Sequence, residues 1–133
     1  MVKGKRILIA DDDARVLLIL RATLERMKNG CQIVAAHDGM EAMAKIENEL
    51  FDLVITDVRM PGVDGIELVE AIRALDRNTA VIWITAYGCH KLQAERARLA
   101  VHCCLDKPLR IGEIREAALE ALEANMGSEK TDE

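Results

Sequence analysis

Polar side chains that could do chemistry stand at the ends of four short apolar segments of this sequence. They are three consecutive acids, a fourth acid, a threonine and a lysine: Asp11, Asp12, Asp13, Asp57, Thr85 and Lys107. If the four segments are strands of one parallel sheet, their carboxyl ends meet at the edge where open α/β sheets bind ligands. The sequence therefore predicts one polar site built from distant parts of the chain.

Carboxylates gathered at such a site need a cation, because like charges a few ångströms apart raise each other's pKa and destabilise the fold. Oxygen ligands with room for water and phosphate favour Mg²⁺ over zinc or a calcium cage. A carboxylate beside this metal can attack phosphorus and form an aspartyl-phosphate. The lysine would offset charge on the transferred group, and the threonine would bond one of its oxygens. Taken singly, each residue could instead cap a helix, close a strand or lie in solvent, but such roles do not explain why all of them fall at strand ends.

Five strands are predicted, at residues 6–10, 32–36, 52–56, 80–85 and 101–105. The first, third and fourth are continuous apolar runs rich in β-branched residues, as in strands that helices cover on both faces. Strands and helical segments alternate, which calls for parallel strands and right-handed crossovers. We predict an α/β fold with a five-stranded parallel sheet in the order 2-1-3-4-5, doubly wound and flavodoxin-like, with five helices.

The helices are predicted from apolar residues at helical spacing. Four of them present these faces: Leu17, Leu20, Leu24 and Met27; Met43, Ile46 and Leu50; Leu68, Ile72 and Leu75; Ile111, Ile114, Ala118, Ala121 and Leu122. The first is expected to end near Asn29 and Gly30, and the second to begin after Asp38 as its N-cap. Residues 91–99 offer only alanines between two leucines, which predicts the most loosely held helix.

The composition favours a single folded domain and argues against several classes of protein. With 133 residues, 50% hydrophobic and 2% aromatic, the chain suits one domain with an aliphatic core, predicted at 1–125, and a polar tail at 126–133. A net charge of -5 and single Trp, Tyr and Phe residues argue against nucleic-acid binding. No apolar run approaches the ~20 residues that span a bilayer, and acids interrupt any secretory signal. We expect a cytoplasmic protein without membrane contact.

The four cysteines, Cys31, Cys89, Cys103 and Cys104, form no CxxC pair and have no histidine at zinc-finger spacing. Adjacent Cys103 and Cys104 cannot easily bridge each other. The main expectation is therefore reduced thiols that behave as small buried hydrophobes, with redox sensing as the alternative.

Four motifs resemble those of the receiver domains of bacterial two-component response regulators, over about residues 4 to 124. The motifs are ILIADDD, DLVITDVRMPGVDG, VIWITAYG and CLDKP, in the family's order and spacing. The resemblance implies that Asp57 is the phosphoacceptor, that Asp12 is a direct metal ligand and that Asp11 acts on the metal through water. The backbone carbonyl of Arg59 would complete the protein's share of the metal shell.

The same resemblance implies that Thr85 bonds the phosphoryl group and that Lys107 pairs with it, before a cis bond to Pro108. Asp13 falls outside the acidic pair and is expected to cap the first helix. Pro61 matches a residue that shapes the turn after the acceptor.

Gly65 matches the glycine that shapes the same turn, whereas two positions depart from the family. Cys104 stands three residues before the lysine, where the family usually has Tyr or Phe, so this position lacks the aromatic side chain that would rotate. Tyr87, two residues after the threonine, places a bulky side chain beside the expected phosphoryl group.

The implied function is that of a signalling module rather than a metabolic enzyme. The chain would take a phosphoryl group from the phosphohistidine of a sensor histidine kinase or phosphotransfer protein onto Asp57, with Mg²⁺, and would catalyse its own phosphorylation and dephosphorylation. It would signal through its helix 4/strand 5/helix 5 face to a downstream protein or output domain, or through a phosphorylation-dependent homodimer. Direct nucleic-acid binding by this domain is not expected.

Three other functions fit the sequence less well. A haloacid-dehalogenase-type phosphatase requires a second Asp two residues after the nucleophile, where this chain has Arg59. A flavodoxin-type flavin module requires a hydroxyl- and glycine-rich phosphate loop after strand one, where three acids stand. A pseudo-receiver that only binds partners would not need the complete set Asp12, Asp57, Thr85 and Lys107.

Overall fold

Strands and helices alternate along the chain in the computed structural model, which describes residues 4–27, 30–75 and 77–131, the last six as backbone. The elements are β1 (Arg6–Ala10), α1 (Ala14–Glu25), β2 (Gln32–Ala36), α2 (Gly39–Asn48), β3 (Leu53–Asp57), α3 (Gly65–Ala74), β4 (Ala80–Thr85), α4 (Gln93–Leu99), β5 (Cys103–Asp106) and α5 (Ile111–Thr131). A 3-10 turn (Cys89–Leu92) precedes α4.

The five strands form one parallel sheet in the order β2-β1-β3-β4-β5, which confirms the predicted fold class. Ala10 pairs with Thr56, Asp57 with Ile84, and Thr85 with Asp106. This register brings the carboxyl ends of β1, β3, β4 and β5 to one edge of the sheet. Residues that follow these strands therefore start from neighbouring points.

Helices cover both faces of the sheet, and the strand residues divide between two apolar clusters. Ile9, Ile55 and Ile84 pack with α1 and α5 on one face, whereas Val54 and Trp83 pack with α2, α3 and α4 on the other. Successive side chains of a strand point to opposite faces, so a continuous apolar run supplies both clusters. The sheet is thereby held rigid beneath its carboxyl edge.

Aspartates begin three of the helices. The side chains of Asp13, Asp38 and Asp64 accept hydrogen bonds from backbone N–H groups in the first turns of α1, α2 and α3. Each carboxylate satisfies a donor that has no partner within the helix and adds negative charge at the positive end of the helix dipole. The caps predicted at Asp13 and Asp38 are confirmed.

Three apolar residues assigned to helix faces are exposed, and those assignments are wrong. Leu50 is 70% exposed, because α2 ends at Asn48 and the chain leaves the helical path before it. Leu75 is 43% exposed at the C-cap of α3, and Ile111 is 57% exposed as the first residue of α5. All three stand at helix ends, where periodicity no longer fixes the direction of a side chain.

Two helix boundaries also differ from expectation. The helix α1 ends at Glu25, with Arg26 as its C-cap, whereas the predicted end lay near Asn29 and Gly30; Asn29 lies outside the described residues. The backbone of α5 continues to Thr131, so most of the expected polar tail is helical. No described helix is both long and apolar enough to cross a membrane.

The helix α4 is short and weakly packed, as its sequence indicated. Leu99 is its only buried residue. The 3-10 turn before it contains no buried residue, although Leu92 is partly buried against the cluster beneath. The segment between β4 and β5 is therefore held by few apolar contacts.

Candidate functional site

An open cleft of about 530 Å³ lies at the carboxyl edge of the sheet. Its lining comes from the ends of β1, β3, β4 and β5: Asp12, Asp13, Ala14, Asp57, Arg59, Ala86, Tyr87 and Lys107. The predicted site residues Asp12, Asp57 and Lys107 are thus brought together, as the strand register requires. Asp11 and Thr85 are almost wholly buried and do not line the cleft.

The Asp57 carboxylate is held from two sides at the end of β3. Its Oδ1 accepts a hydrogen bond of 3.2 Å from the backbone N–H of Arg59, and its Oδ2 accepts one of 3.0 Å from Lys107 Nζ. The residue is 6% exposed. A carboxylate in this position is fixed in direction and can still be reached from the cleft.

The Lys107 ammonium lies between two carboxylates. It is 2.9 Å from Asp11 Oδ2 and 3.0 Å from Asp57 Oδ2. Partial burial lowers the pKa of Lys107, but its hydrogen bonds and charge attraction to Asp11 and Asp57 outweigh this effect and raise the pKa above its ordinary value. The side chain therefore stays cationic. The Lys107–Pro108 bond is cis, as the resemblance implied.

Asp11 is fully buried directly after β1. Its Oδ1 accepts a hydrogen bond of 2.8 Å from the backbone N–H of Asp13, and its Oδ2 faces the Lys107 ammonium at 2.9 Å. Burial raises the pKa of Asp11, and the contacts with Asp13 and Lys107 oppose that rise. A buried carboxylate is thus held beside a single ammonium that it shares with Asp57.

The acidic cluster has a donor set that fits a divalent cation. Carboxylate oxygens of Asp11, Asp12 and Asp57 lie within 4.8 Å of one another. One ammonium stands against three carboxylates, which leaves excess negative charge for a cation to offset. Hard oxygen donors beside an open cleft suit Mg²⁺, which keeps several waters and binds through one or two carboxylates.

Thr85 ends β4 and is 1% exposed. Its Oγ1 accepts a hydrogen bond of 3.0 Å from the backbone N–H of Tyr87, and its carbonyl accepts one of 2.8 Å from the N–H of Lys107. A hydroxyl that accepts from one side retains its own proton for donation. The same residue thus fixes the loops that carry Tyr87 and Lys107.

The loop after the acceptor is held close to β3 by Gly65. The N–H of Gly65 donates to the carbonyl of Val58 at 2.8 Å, and a Cβ at Gly65 would lie only 2.5 Å from the carbonyl oxygen of Asp57. Trp83 Nε1 donates to the Gly65 carbonyl at 3.2 Å. Only glycine permits this approach. The sequence indicated the turn but not the contact with Trp83.

Arg59 and Tyr87 contact each other in the lining of the cleft. The guanidinium carbon of Arg59 lies 4.6 Å from the centre of the Tyr87 ring, a distance typical of a cation–π interaction. Both side chains line the cleft beside Asp57. The sequence placed each of them near the site, but not their contact with each other.

The expectation of reduced thiols is wrong for two of the four cysteines. Cys89 and Cys104 form a disulfide, with their Cα atoms 5.7 Å apart. The bridge joins the 3-10 turn to β5 at the position where the resemblance expected an aromatic side chain. Composition could not indicate this pair, because the partners are distant in sequence and meet only after β4 and β5 align.

The sequence matches the family model described as the response regulator receiver domain over residues 7–119. The chain belongs to the receiver domain family. Its structure is similar to that of a receiver domain protein (CheY-like) from Methanospirillum hungatei JF-1, with a TM-score of 0.85 and 29% identity, over 95% of this chain and 99% of that one. The family predicted from the four motifs is confirmed.

Relatives of this receiver domain occur in several protein contexts. It is 35% identical to sporulation initiation phosphotransferase F of Bacillus subtilis, over 86% of this chain and 90% of the relative. It is 38% identical to part of sensor protein GacS of Pseudomonas syringae, over 73% of this chain, and 33% identical to part of transcriptional regulatory protein ZraR of Salmonella typhimurium, over 92% of this chain. The aligned part is 11% of the GacS sequence and 27% of the ZraR sequence.

Proposed function

We propose that this receiver domain accepts a phosphoryl group from a phosphohistidine onto Asp57, in a reaction that requires Mg²⁺. The observation that carries the proposal is the position of Lys107 Nζ, 3.0 Å from Asp57 Oδ2 and 2.9 Å from Asp11 Oδ2, in a cleft that Asp12 also lines. A nucleophilic carboxylate, a fixed cation and further acidic oxygens are the parts that phosphoryl transfer onto aspartate needs.

Asp57 is the proposed nucleophile. A carboxylate oxygen forms a bond to phosphorus while the phosphorus–nitrogen bond of the phosphohistidine breaks, which leaves the imidazole of the donor. The hydrogen bond from Arg59 N to Oδ1 and the ion pair from Lys107 to Oδ2 fix the carboxylate before the reaction. The rigid end of β3 lowers the entropic cost of reaching the transition state.

Lys107 is proposed to change its partner when the negative charge moves from the Asp57 carboxylate to the phosphoryl group. In the structure its ammonium is shared between the carboxylates of Asp11 and Asp57. When Asp57 becomes an acyl phosphate, its carboxylate charge is lost and the phosphoryl oxygens carry the new charge. The ammonium then pairs with a phosphoryl oxygen, and the hydroxyl of Thr85 donates to another.

Asp12, Asp57 and the backbone carbonyl of Arg59 are the proposed direct ligands of Mg²⁺, with Asp11 acting through a water molecule. When bound, the ion supplies positive charge that offsets the carboxylates and the phosphoryl oxygens. Asp13 has a separate role, because its Oδ1 caps α1 by accepting from Arg15 N at 2.9 Å.

The proposed output is a change in the face formed by α4, β5 and α5. Thr85 and Lys107 end β4 and follow β5, and the weakly packed α4 lies between these strands in sequence. Small energies at the site can shift an element with few buried contacts. The face would then bind a downstream protein, an output domain or a second copy of the chain.

The proposed donor is a sensor histidine kinase or a phosphotransfer protein, and the proposed location is the cytoplasm. One relative is named as a phosphotransferase, another as a sensor protein and a third as a transcriptional regulatory protein. These names support a place in phosphoryl relay signalling. The chain would also catalyse loss of its own phosphoryl group.

Mass spectrometry after incubation with acetyl phosphate tests the metal requirement. We expect the wild type and Asp13→Asn to gain one phosphoryl group with Mg²⁺ and none in chelator, because asparagine also caps helices well. Asp12→Asn should need much more Mg²⁺ for the same gain. Undiminished labelling in chelator, or equal Mg²⁺ dependence of Asp12→Asn and wild type, would contradict the proposal.

A further inference from the structure

The disulfide joins the 3-10 turn before α4 to β5, and both α4 and β5 belong to the proposed signalling face. Cys89 begins the 3-10 turn and Cys104 lies on β5, 15 residues later. Their Cα separation of 5.7 Å is within the range that disulfides require. Both residues are only half-buried, so small thiols and disulfides can reach them.

The bridge is attached where apolar packing is weakest. The 3-10 turn has no buried residue, and α4 has only Leu99. Besides the bridge, the backbone N–H of Cys89 donates to Asp106 Oδ1 at 2.9 Å, and Leu92 packs partly against the core. A covalent bond therefore supplies an attachment that the hydrophobic contacts of this segment do not.

The neighbouring cysteine on β5 cannot substitute for Cys104. Strand alternation places Cys103 on the opposite face, where it packs against the cluster of α1 and α5, whereas Cys104 packs against the cluster on the α4 side. Burial also raises the pKa of the Cys103 thiol, which disfavours the reactive thiolate. Cys103 is thus a matched control for Cys104.

We propose that Cys89 and Cys104 are a reversible redox modification site that fixes the 3-10 turn before α4 to β5. The oxidant is a small-molecule disulfide such as oxidised glutathione. One protein thiolate attacks it, forming a mixed disulfide and releasing one small thiol. The second protein thiolate then attacks the mixed disulfide at the protein sulfur and releases the other small thiol. Two protein thiols are oxidised to one disulfide, one small disulfide is reduced to two thiols, and the two protein protons pass to the released thiols.

The position of the bridge links this modification to the phosphoacceptor site. Cys89 is four residues after Thr85, and Cys104 is three residues before Lys107. In the oxidised form the bridge restrains these two segments against each other. In the reduced form the turn and α4 gain freedom to move away from β5. This effect on signalling rests on the proposed phosphoacceptor function, whereas formation of the bridge does not.

Redox titration of the full chain tests the modification itself. The protein is equilibrated in glutathione buffers from reducing to oxidising, its thiols are alkylated, and linked peptides are identified by mass spectrometry. We expect a reversible, intramolecular Cys89–Cys104 link in the wild type and Cys103→Ser, and none in Cys89→Ser or Cys104→Ser. Thiols that remain unlinked throughout, a link through Cys103, or links between chains would overturn the proposal.

Hydrogen exchange of the oxidised and reduced forms tests what the bridge does. We expect about tenfold faster exchange in the 3-10 turn and α4 after reduction, since their local opening free energy falls. Cys89→Ser, which leaves the residues of β5 unchanged, should show the same amide exchange rates as the reduced wild type. Equal exchange in the two redox forms would show that the bridge does not restrain this segment.

Phosphorylation with acetyl phosphate and Mg²⁺ in the same samples separates the two proposals. We expect both redox forms to be labelled, with a smaller change of α4 exchange in the oxidised form. Equal responses of the two labelled forms would refute the link to signalling. Absence of label in both forms would refute both the phosphoacceptor function and the effect of the bridge on signalling. The redox titration would still test the modification site by itself.

Discussion

Lys107 contacts the proposed acceptor Asp57, and Thr85 ends the neighbouring strand β4. Lys107→Ala and Thr85→Ala leave Asp57 and the acidic cluster in place, so we expect phosphoryl labelling to survive, more slowly. The phosphorylation-dependent shifts of backbone amide signals should shrink in both variants, because each lacks one side chain that would bond the phosphoryl oxygens. Lys91→Ala, which changes an exposed lysine, serves as the control. Full wild-type shifts in both variants would show that neither residue senses the phosphoryl group.

The contact between Arg59 and Tyr87 predicts a long phosphoryl lifetime. The two side chains meet at 4.6 Å and line the cleft beside Asp57, where water must enter for hydrolysis. Neither an arginine nor a tyrosine ring positions and activates water as an amide or a carboxylate can. We expect Arg59→Asn with Tyr87→Glu to lose its phosphoryl group about tenfold faster, a change of ~1.4 kcal/mol in the barrier.

Decay of labelled protein after removal of acetyl phosphate measures this lifetime. Each single variant should lie between the wild type and the double variant, because either substitution opens one side of the contact. If the double variant decays no faster than the wild type, these two side chains do not control the access of water.

The start of α3 must approach β3 without a side chain. In Gly65→Ala the new Cβ would lie 2.5 Å from the Asp57 carbonyl oxygen and 2.8 Å from Val58 Cα, so backbone must shift. We expect a loss of ~1–3 kcal/mol in the free energy of unfolding and slower labelling of Asp57. Gly112→Ala is the matched control, because a Cβ there meets nothing within 4 Å and alanine favours the helix by ~0.5–1 kcal/mol. Equal stability of the two variants in chemical denaturation would refute this account of the turn.

The elements α4, β5 and α5 are expected to respond most to phosphorylation. The sole buried residue of α4 is Leu99, whereas α3 buries Gly65, Leu68, Val69 and Ile72. Low local stability lets α4 move when Thr85 and Lys107 engage a new ligand. Hydrogen exchange of the reduced protein with and without acetyl phosphate should differ most at α4, β5 and α5. A change confined to α2 and α3 would contradict this expectation.

The sequence predicts the sheet well, because buried parallel strands need continuous apolar runs. The bounds of β1, β2 and β4 agree with prediction, and β3 and β5 are shifted by one or two residues. The meeting of Asp12, Asp57 and Lys107 follows from strand order alone. These features depend on apolar periodicity and on the order of strands and helices, both of which can be read from local sequence patterns.

Features that depend on side-chain direction could not be predicted in the same way. Leu50, Leu75 and Ile111 lie at helix ends, where the chain leaves the helical path, and apolar spacing misplaced them. The disulfide of Cys89 and Cys104 depends on a 3-10 turn that has no sequence signature. Such contacts are fixed by tertiary packing rather than by local pattern.

Asp57 is expected to be the single phosphoacceptor, and a comparison of the aspartates at the two ends of β3 tests this. Asp52 precedes the strand and accepts from Arg6 N at 2.8 Å, a bond that asparagine can retain, whereas Asp57 ends the strand in the cleft. After incubation with acetyl phosphate and Mg²⁺, intact mass should show one added phosphoryl group in the wild type and Asp52→Asn and none in Asp57→Asn. An undiminished gain in Asp57→Asn would contradict the claim.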